Sequence, residues 1–338
     1  MLHNDNKLFI DTVLATSEYF SISPIYIEKD YWITHVLRLM AQNDNANKVV
    51  FKGGTSLSKA YHLINRFSED IDVAVIDAGA FTGNQLKTLI KKVAKEMTID
   101  LQEIQVDGII SKGSHFYKAV YAYPNLLKQT AKTAVSSNLL VEINSFANPY
   151  PYETKTITSF ITDFLEQTNN GHLITKHNLQ SFTLNVLDKR RTMIEKLVSL
   201  VRFSFSENPI LAISSKIRHF YDLYFLANDA QCVKYIQSAD FQTDFAELYI
   251  HDQQTFDTPA NWQIKTIEQS PLTIEFSTMW EKLREAYRNE LSLLAFTQIP
   301  DEKKVAQTFI NTVNNLAQVA ALTVKKRQKR AKKRGNWG

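Results

Sequence analysis

One cysteine, Cys232, stands among 338 residues, which excludes an intrachain disulfide and leaves no argument for an oxidising compartment. No apolar run reaches the roughly 18 residues that a membrane-spanning helix needs. The opening Met1-Leu2-His3-Asn4-Asp5-Asn6 lacks the basic-then-apolar layout of a signal peptide, so a cytoplasmic location is expected. The eight histidines include no His-x3-His or Cys/His grouping, which argues against zinc. No repeat at a fixed period is evident. Basic excess is also missing from most of the chain. Residues 325–338 hold 8 of the 39 Lys and Arg and none of the 35 acids, leaving 31 bases against 35 acids elsewhere. The formal +4 is thus a property of the tail, which is either a solvated extension or a contact for a polyanion such as RNA.

What is present is ordinary in bulk: 44% hydrophobic and 22% charged residues describe a globular chain with room for one large or two medium domains. The informative stretch is residues 51–73. Val49-Val50-Phe51 reads as a short strand and meets Gly53-Gly54-Thr55-Ser56. Leu57, Ala60, Tyr61 and Ile64 then follow at helical spacing. Asp70-Ile71-Asp72 opens a second apolar run, Val73-Ala74-Val75-Ile76. On a strand, Asp70 and Asp72 project from one face. Either they are exposed strand-start carboxylates, or a hard cation sits between them, for which magnesium suits carboxylate and phosphate oxygens together.

Glycines without Cβ allow close approach of a phosphate to the backbone, and a helix start offers unpaired N–H groups. Thr55 and Ser56 can cap that helix, donate to a phosphate, or do both. Lys52, Lys59 and Arg66 can add positive charge, although Lys59 reads equally well as solvated. Glu69 would point away from the Asp pair. A phosphate cradle and a metal-binding Asp pair joined by one helix describe a phosphoryl- or nucleotidyl-transfer site; nucleotidyl transfer uses two metal ions, and two aspartates hold two ions poorly. A third carboxylate is therefore expected on a neighbouring strand, and Glu142 within Leu139–Phe146 fits, its alternative being the polar face of an edge strand.

Beyond the motif, Ser23-Pro24 starts a helix with Ile33, Val36, Leu37 and Met40 inside. Leu86, Leu89, Ile90, Val93 and Met97 mark another, and Phe116–Tyr123 and Leu139–Phe146 alternate as half-buried strands. Asn148-Pro149-Tyr150-Pro151-Tyr152 breaks the pattern. Arg191–Phe203, Ile213–Leu226, Thr278–Leu293 and Lys303–Val324 are helical in spacing. The reading is a mixed α/β (α+β) protein. A small mixed sheet with flanking helices fills 1–147, a mostly helical domain fills 148–324, and a basic tail fills 325–338.

Glu28-Lys29-Asp30-Tyr31-Trp32, Phe51–Lys59, Arg66–Asp72 and Arg218-His219-Phe220-Tyr221-Asp222-Leu223-Tyr224 together resemble the AbiEii/AbiGii toxin family, nucleotidyltransferase-like toxins of the polymerase-β type. The resemblance runs in order over roughly residues 25–230 and is most specific at 52–72. It implies a magnesium-dependent enzyme that moves NMP from an NTP to an acceptor, RNA such as tRNA among the candidates, and a cognate antitoxin. It also implies that Lys196, in the helix from Arg191, contacts the triphosphate, and that Asp222 belongs to the last motif. A buried Asp among aromatics needs a partner, and Lys196 or Arg218 would serve. His219 reads as a structural histidine. The same cradle would also permit phosphotransfer, or transfer to a protein or small molecule. A degenerate nucleotide- or RNA-binding protein is a further alternative, opposed by the intact Asp-x-Asp.

Overall fold

A computed structural model describes residues 1–127, 136 and 138–316. The described residues divide into two compact units, Met1–Asp188 with Leu293–Thr297, and Lys189–Ser292 with 298–316.

The first unit opens with two helices. Helix α1 (Asn6–Phe20) is capped by Asp5, whose carboxylate accepts from Leu8 N–H, and α2 (Pro24–Ala41) carries proline in its first turn. Strand β1 (Val49–Lys52) runs into α3 (Gly53–Lys59), and β2 (Asp70–Val75) follows. Helix α4 (Gly83–Met97) starts at a capping box between Thr82 and Gln85. The remaining elements are β3 (Gln102–Ile104), β4 (Ser111–Lys112), β5 (Phe116–Ala122), β6 (Asn138–Asn144), β7 (Tyr152–Ile157), α5 (Phe160–Gln167), α6 (Gly171–His177) and β8 (Phe182–Leu187).

All eight strands form one mixed sheet in the order β3-β5-β6-β2-β1-β8-β7, with β4 pairing to β5. The β2–β6 and β1–β8 pairs are parallel and the others antiparallel. Alternation divides the faces. Phe51, Ile71, Val73, Val141 and Ile143 are buried and join Ile33, Val36 and Leu37 of α2 and Leu86, Ile90 and Val93 of α4 in one core. Lys52, Asp70, Asp72 and Glu142, at the intervening positions, belong to the opposite face.

Two expectations need correction. The helix after the glycines ends at Lys59, so Tyr61 and Ile64 lie beyond it. His62 takes φ of 48°, and Leu63 N–H bonds back to Leu57 O at 2.9 Å, so the chain turns where the spacing suggested another helical turn. Nor does helix follow directly on 148–152. That breaker leads into β7, which pairs along its whole length with β8, while β8 pairs with β1 at Phe51 and Val186. The first unit therefore runs past 147 to Asp188. Thr154-Lys155-Thr156 on β7, a polar edge strand, gave no apolar alternation to read.

The second unit contains α7 (Lys189–Phe203), α8 (Pro209–Ser214), α9 (Arg218–Asn228), α10 (Ala230–Ile236), α11 (Ala239–Thr255), α12 (Pro271–Ile274), α13 (Phe276–Leu294) as far as Ser292, and a helix over 302–316. The expected Ile213–Leu226 helix is thus two helices separated by a turn at 215–217. Met193, Ile194, Leu197 and Val201 of α7 are buried as their spacing predicts. The end of the expected Lys303–Val324 helix and the basic tail lie outside the described residues. Among the described residues, no helix is long and apolar enough to cross a membrane.

Candidate active site

Paired residues on neighbouring strands present their side chains to the same side of a sheet. The registers Lys52↔Asp72, Asp72↔Glu142 and Glu142↔Lys118 therefore place four charged residues in one line across β1, β2, β6 and β5. Two carboxylates stand in the middle and a lysine at each end. Lys118 Nζ lies 2.6 Å from Glu142 Oε1, with both side chains partly exposed. Asp70, beside Leu140 in the same parallel pair, adds a third carboxylate about 7 Å along β2 from Asp72, two residues of strand rise.

The glycine turn meets this row. Gly53 has φ of +82°, a conformation that side chains rarely adopt, and a Cβ there would lie 2.1 Å from Asp72 Oδ2. The backbone is thus in contact with the carboxylate itself. A Cβ at Gly54 would lie 2.8 Å from an Arg66 guanidinium nitrogen and 3.0 Å from Ser68 Oγ. The two glycines consequently pass between an acidic and a basic group. Arg66 is buried, donates to Phe67 O at 3.1 Å, and its backbone bridges to Ala295, which fixes the loop before β2.

Thr55 and Ser56 are buried and their hydroxyls are turned inward. Thr55 Oγ1 donates to Asp70 O at 2.5 Å and Ser56 Oγ to Gly53 O at 2.8 Å. The first bond ties the turn to the strand that carries the aspartates, and the second closes the turn on itself. Lys59 is not solvated; it is buried, with Nζ 2.7 Å from Asp30 Oδ1. A cavity of roughly 110 Å³ borders the turn through Thr55, Arg66 and Ser68 and is closed in part by Asp163, whose carboxyl is raised by burial.

Among the described residues, no three His, Cys, Asp or Glu side chains are gathered into a ready metal site. Asp70, Asp72 and Glu142 share a face, but the Glu142 carboxylate is held by Lys118. Their chemistry nonetheless fits magnesium, since all three offer hard oxygen donors on the partly open face, beside a turn that any Cβ would block. The sequence reading did not single out Lys118 or Ser68. The alternating polar position of Lys118 in β5 was the available signal for the first, and for Ser68 it was its place inside the Arg66–Asp72 segment.

In the second unit, Lys196 on α7 and Asp222 on α9 form an ion pair of 2.7 Å, 7% and 0% exposed. A carboxylate this deeply buried requires such a partner. Arg218, the other partner considered, lies instead against Glu290.

The chain is similar to two proteins of Dictyostelium discoideum, probable polyketide synthases 34 and 33. Each is 23% identical over 261 residues, which cover 75% of this chain and only 7% of those proteins. It also aligns with the solved structure of MenT4, a nucleotidyltransferase toxin from Mycobacterium tuberculosis H37Rv. That match has 17% identity and a TM-score of 0.44, over 93% of this chain and 98% of that one. The model of the nucleotidyl transferase AbiEii toxin family, type IV toxin–antitoxin system, matches residues 36–308. That span takes in the glycine turn, the aspartate strand, Glu142 and the Lys196–Asp222 pair, and by it the chain belongs to the AbiEii family of nucleotidyltransferase toxins.

Proposed function

We propose that this nucleotidyltransferase toxin is magnesium-dependent and moves NMP from an NTP to an RNA acceptor such as tRNA in the cytoplasm, where a cognate antitoxin opposes it. The observation that carries this reading is the contact between the Gly53 backbone and the Asp72 carboxylate, with Glu142 beside Asp72 on the next strand. Phosphate and metal would be drawn to the same few ångströms of sheet.

In this proposal Asp70 and Asp72 hold magnesium, Glu142 completes the set, and two ions are expected. Magnesium, when bound there, would supply charge to offset the triphosphate and to lower the pKa of the acceptor hydroxyl. The chain's own groups do the positioning. Gly53 and Gly54 admit phosphate oxygens to the backbone, Arg66 supplies charge beside Gly54, and the Thr55 and Ser56 hydroxyls keep the turn in shape. Lys196 contacts the triphosphate and Asp222 holds its ammonium in place. The acceptor oxygen attacks the α-phosphorus in line, its bond forms as the bond to pyrophosphate breaks, and the hydroxyl proton passes to solvent. No covalent enzyme intermediate is needed, so positioning and charge neutralisation supply the rate.

The test is incubation with each α-labelled NTP in turn, together with total RNA and a protein extract. Label joined to RNA, with release of pyrophosphate, is the expected result. Label on protein or on a small molecule would replace the RNA acceptor, and transfer undiminished by chelation of divalent ions would remove magnesium.

A further inference from the structure

Three consecutive ionisable residues on α2, Glu28, Lys29 and Asp30, are 1%, 0% and 2% exposed. Successive positions on a helix point about 100° apart, so these three cannot share one partner. Each reaches a different element. Glu28 Oε1 accepts from Leu126 N–H at 2.9 Å. Lys29 Nζ reaches Glu69 Oε1 at 2.9 Å and Ser136 O at 2.7 Å, and Glu69 Oε1 also accepts from Ser136 N–H at 2.8 Å. Asp30 Oδ1 accepts from Lys59 Nζ at 2.7 Å, and its Oδ2 accepts from Phe160 N–H at 3.0 Å.

Two of these partners have telling positions. Lys59 is the last residue of α3, the helix that opens with Gly53 and Gly54, and Glu69 directly precedes Asp70. One turn of one buried helix therefore grips both the far end of the glycine helix and the start of the aspartate strand. Buried ion pairs are usually no more stabilising than well-packed apolar replacements. Stability alone does not account for two of them in one turn, whereas their directional geometry does.

We propose that Lys29–Glu69 and Asp30–Lys59 are positioning pairs of the transfer site. They set Asp70 and Asp72 at a fixed distance from the glycine turn and act through those residues without touching substrate. The inference rests on the reading of Asp70 and Asp72 as metal ligands. Partners behind metal ligands typically change metal affinity or activity by about 10- to 100-fold when removed.

The test compares Glu69→Ala, Glu69→Gln and the double variant Lys29→Met/Glu69→Leu with the wild type. Melting temperature, kcat and NTP KM for label transfer to RNA, and half-saturation by Mn²⁺ followed by electron paramagnetic resonance are measured. Glu69→Ala takes the carboxylate away from a buried lysine and should lower the melting temperature. The double variant should recover most of that loss, yet keep kcat about 10- to 100-fold low and weaken Mn²⁺ by a similar factor, with NTP KM little changed. A double variant that recovers stability, kcat and Mn²⁺ affinity together would make the pair structural only and overturn the proposal. If the double variant does not fold, Glu69→Gln decides, since it keeps the acceptor oxygen that fixes the geometry. Its kcat and Mn²⁺ half-saturation should lie at least about threefold closer to wild type than those of Glu69→Ala, and losses equal to those of Glu69→Ala in a Gln variant that melts near wild type overturn the proposal. A wild type that transfers label but binds no Mn²⁺ would instead overturn the carboxylate reading itself, and the positioning role with it.

Discussion

Gly53 and Gly54 are adjacent and do different work. At Gly53 the backbone is in a region side chains avoid, and an added methyl would strike Asp72 Oδ2. Gly53→Ala should cost on the order of 1–2 kcal/mol from backbone strain alone and displace the carboxylate, so both melting temperature and transfer should fall. At Gly54 the obstacles are side-chain atoms, the Arg66 guanidinium and Ser68 Oγ, and the backbone is outside the positive-φ region. Gly54→Ala should therefore lower the melting temperature less than Gly53→Ala and act mainly by displacing Arg66, which raises NTP KM. Equal melting losses at both positions would contradict this division. The glycine–aspartate motif was legible in sequence because strand alternation and the need for a missing Cβ both leave marks on residue type. The direction of the Thr55 and Ser56 hydroxyls was not, because capping and phosphate contact demand the same residues. The burial of Lys59 was illegible for a related reason: its partner Asp30 is 29 positions away, and only the fold brings it near.

At the level of elements, α7 and α9 are joined by the Lys196–Asp222 pair. Lys196→Met alone removes the ion-pair partner of a fully buried carboxylate and should cost about 3–5 kcal/mol in thermal unfolding. Adding Asp222→Leu should restore most of that stability. Transfer should stay low in the double variant, and its loss should be less than the sum of the two singles, because the residues act as one unit. Recovery of activity along with stability would confine the pair to packing. A second element-level test concerns α2. His3 stacks on Trp32 and its ring nitrogen meets Tyr31 Oη at 2.7 Å. Burial, then His35, lowers its pKa from 6.5 to about 4. The folded state thus resists protonation more than the unfolded chain does. Stability from this group is complete above pH 6.5 and is lost as pH falls from 6.5 towards 4. His35 shifts in the same direction, burial outweighing its bond to Asp100. His3→Gln should flatten the fall of melting temperature across that window; an unchanged slope would contradict the assignment. Helices such as α2, α4 and α7 were readable because a 3.6-residue apolar period survives in them. Strand β7 was not, since an edge strand can be polar.

At the scale of the whole molecule, a mixed sheet and a helical second unit agree with the sequence expectation, but the change of unit comes at Asp188 and not near 147. Turn residues at 148–152 signal a break in the chain and carry no information about which sheet the next strand joins. The charge at 325–338 is likewise a property of the entire chain. If it serves an RNA acceptor, deleting it should raise acceptor KM and flatten its salt dependence, with NTP KM unchanged. Acceptor KM that is unaltered across salt would return the tail to a solvated extension.

The central claim is that Asp70 and Asp72 carry the transfer as metal ligands. The most direct measurement is label transfer from α-labelled NTP to RNA by Asp70→Asn and Asp72→Asn, over a range of Mg²⁺ concentrations, alongside thermal unfolding. Both positions are partly exposed on a sheet face and outside the apolar core, so melting should change little. Transfer should fall by at least about 100-fold in each and should not be rescued by more Mg²⁺. Wild-type transfer rates in either folded variant would contradict the account.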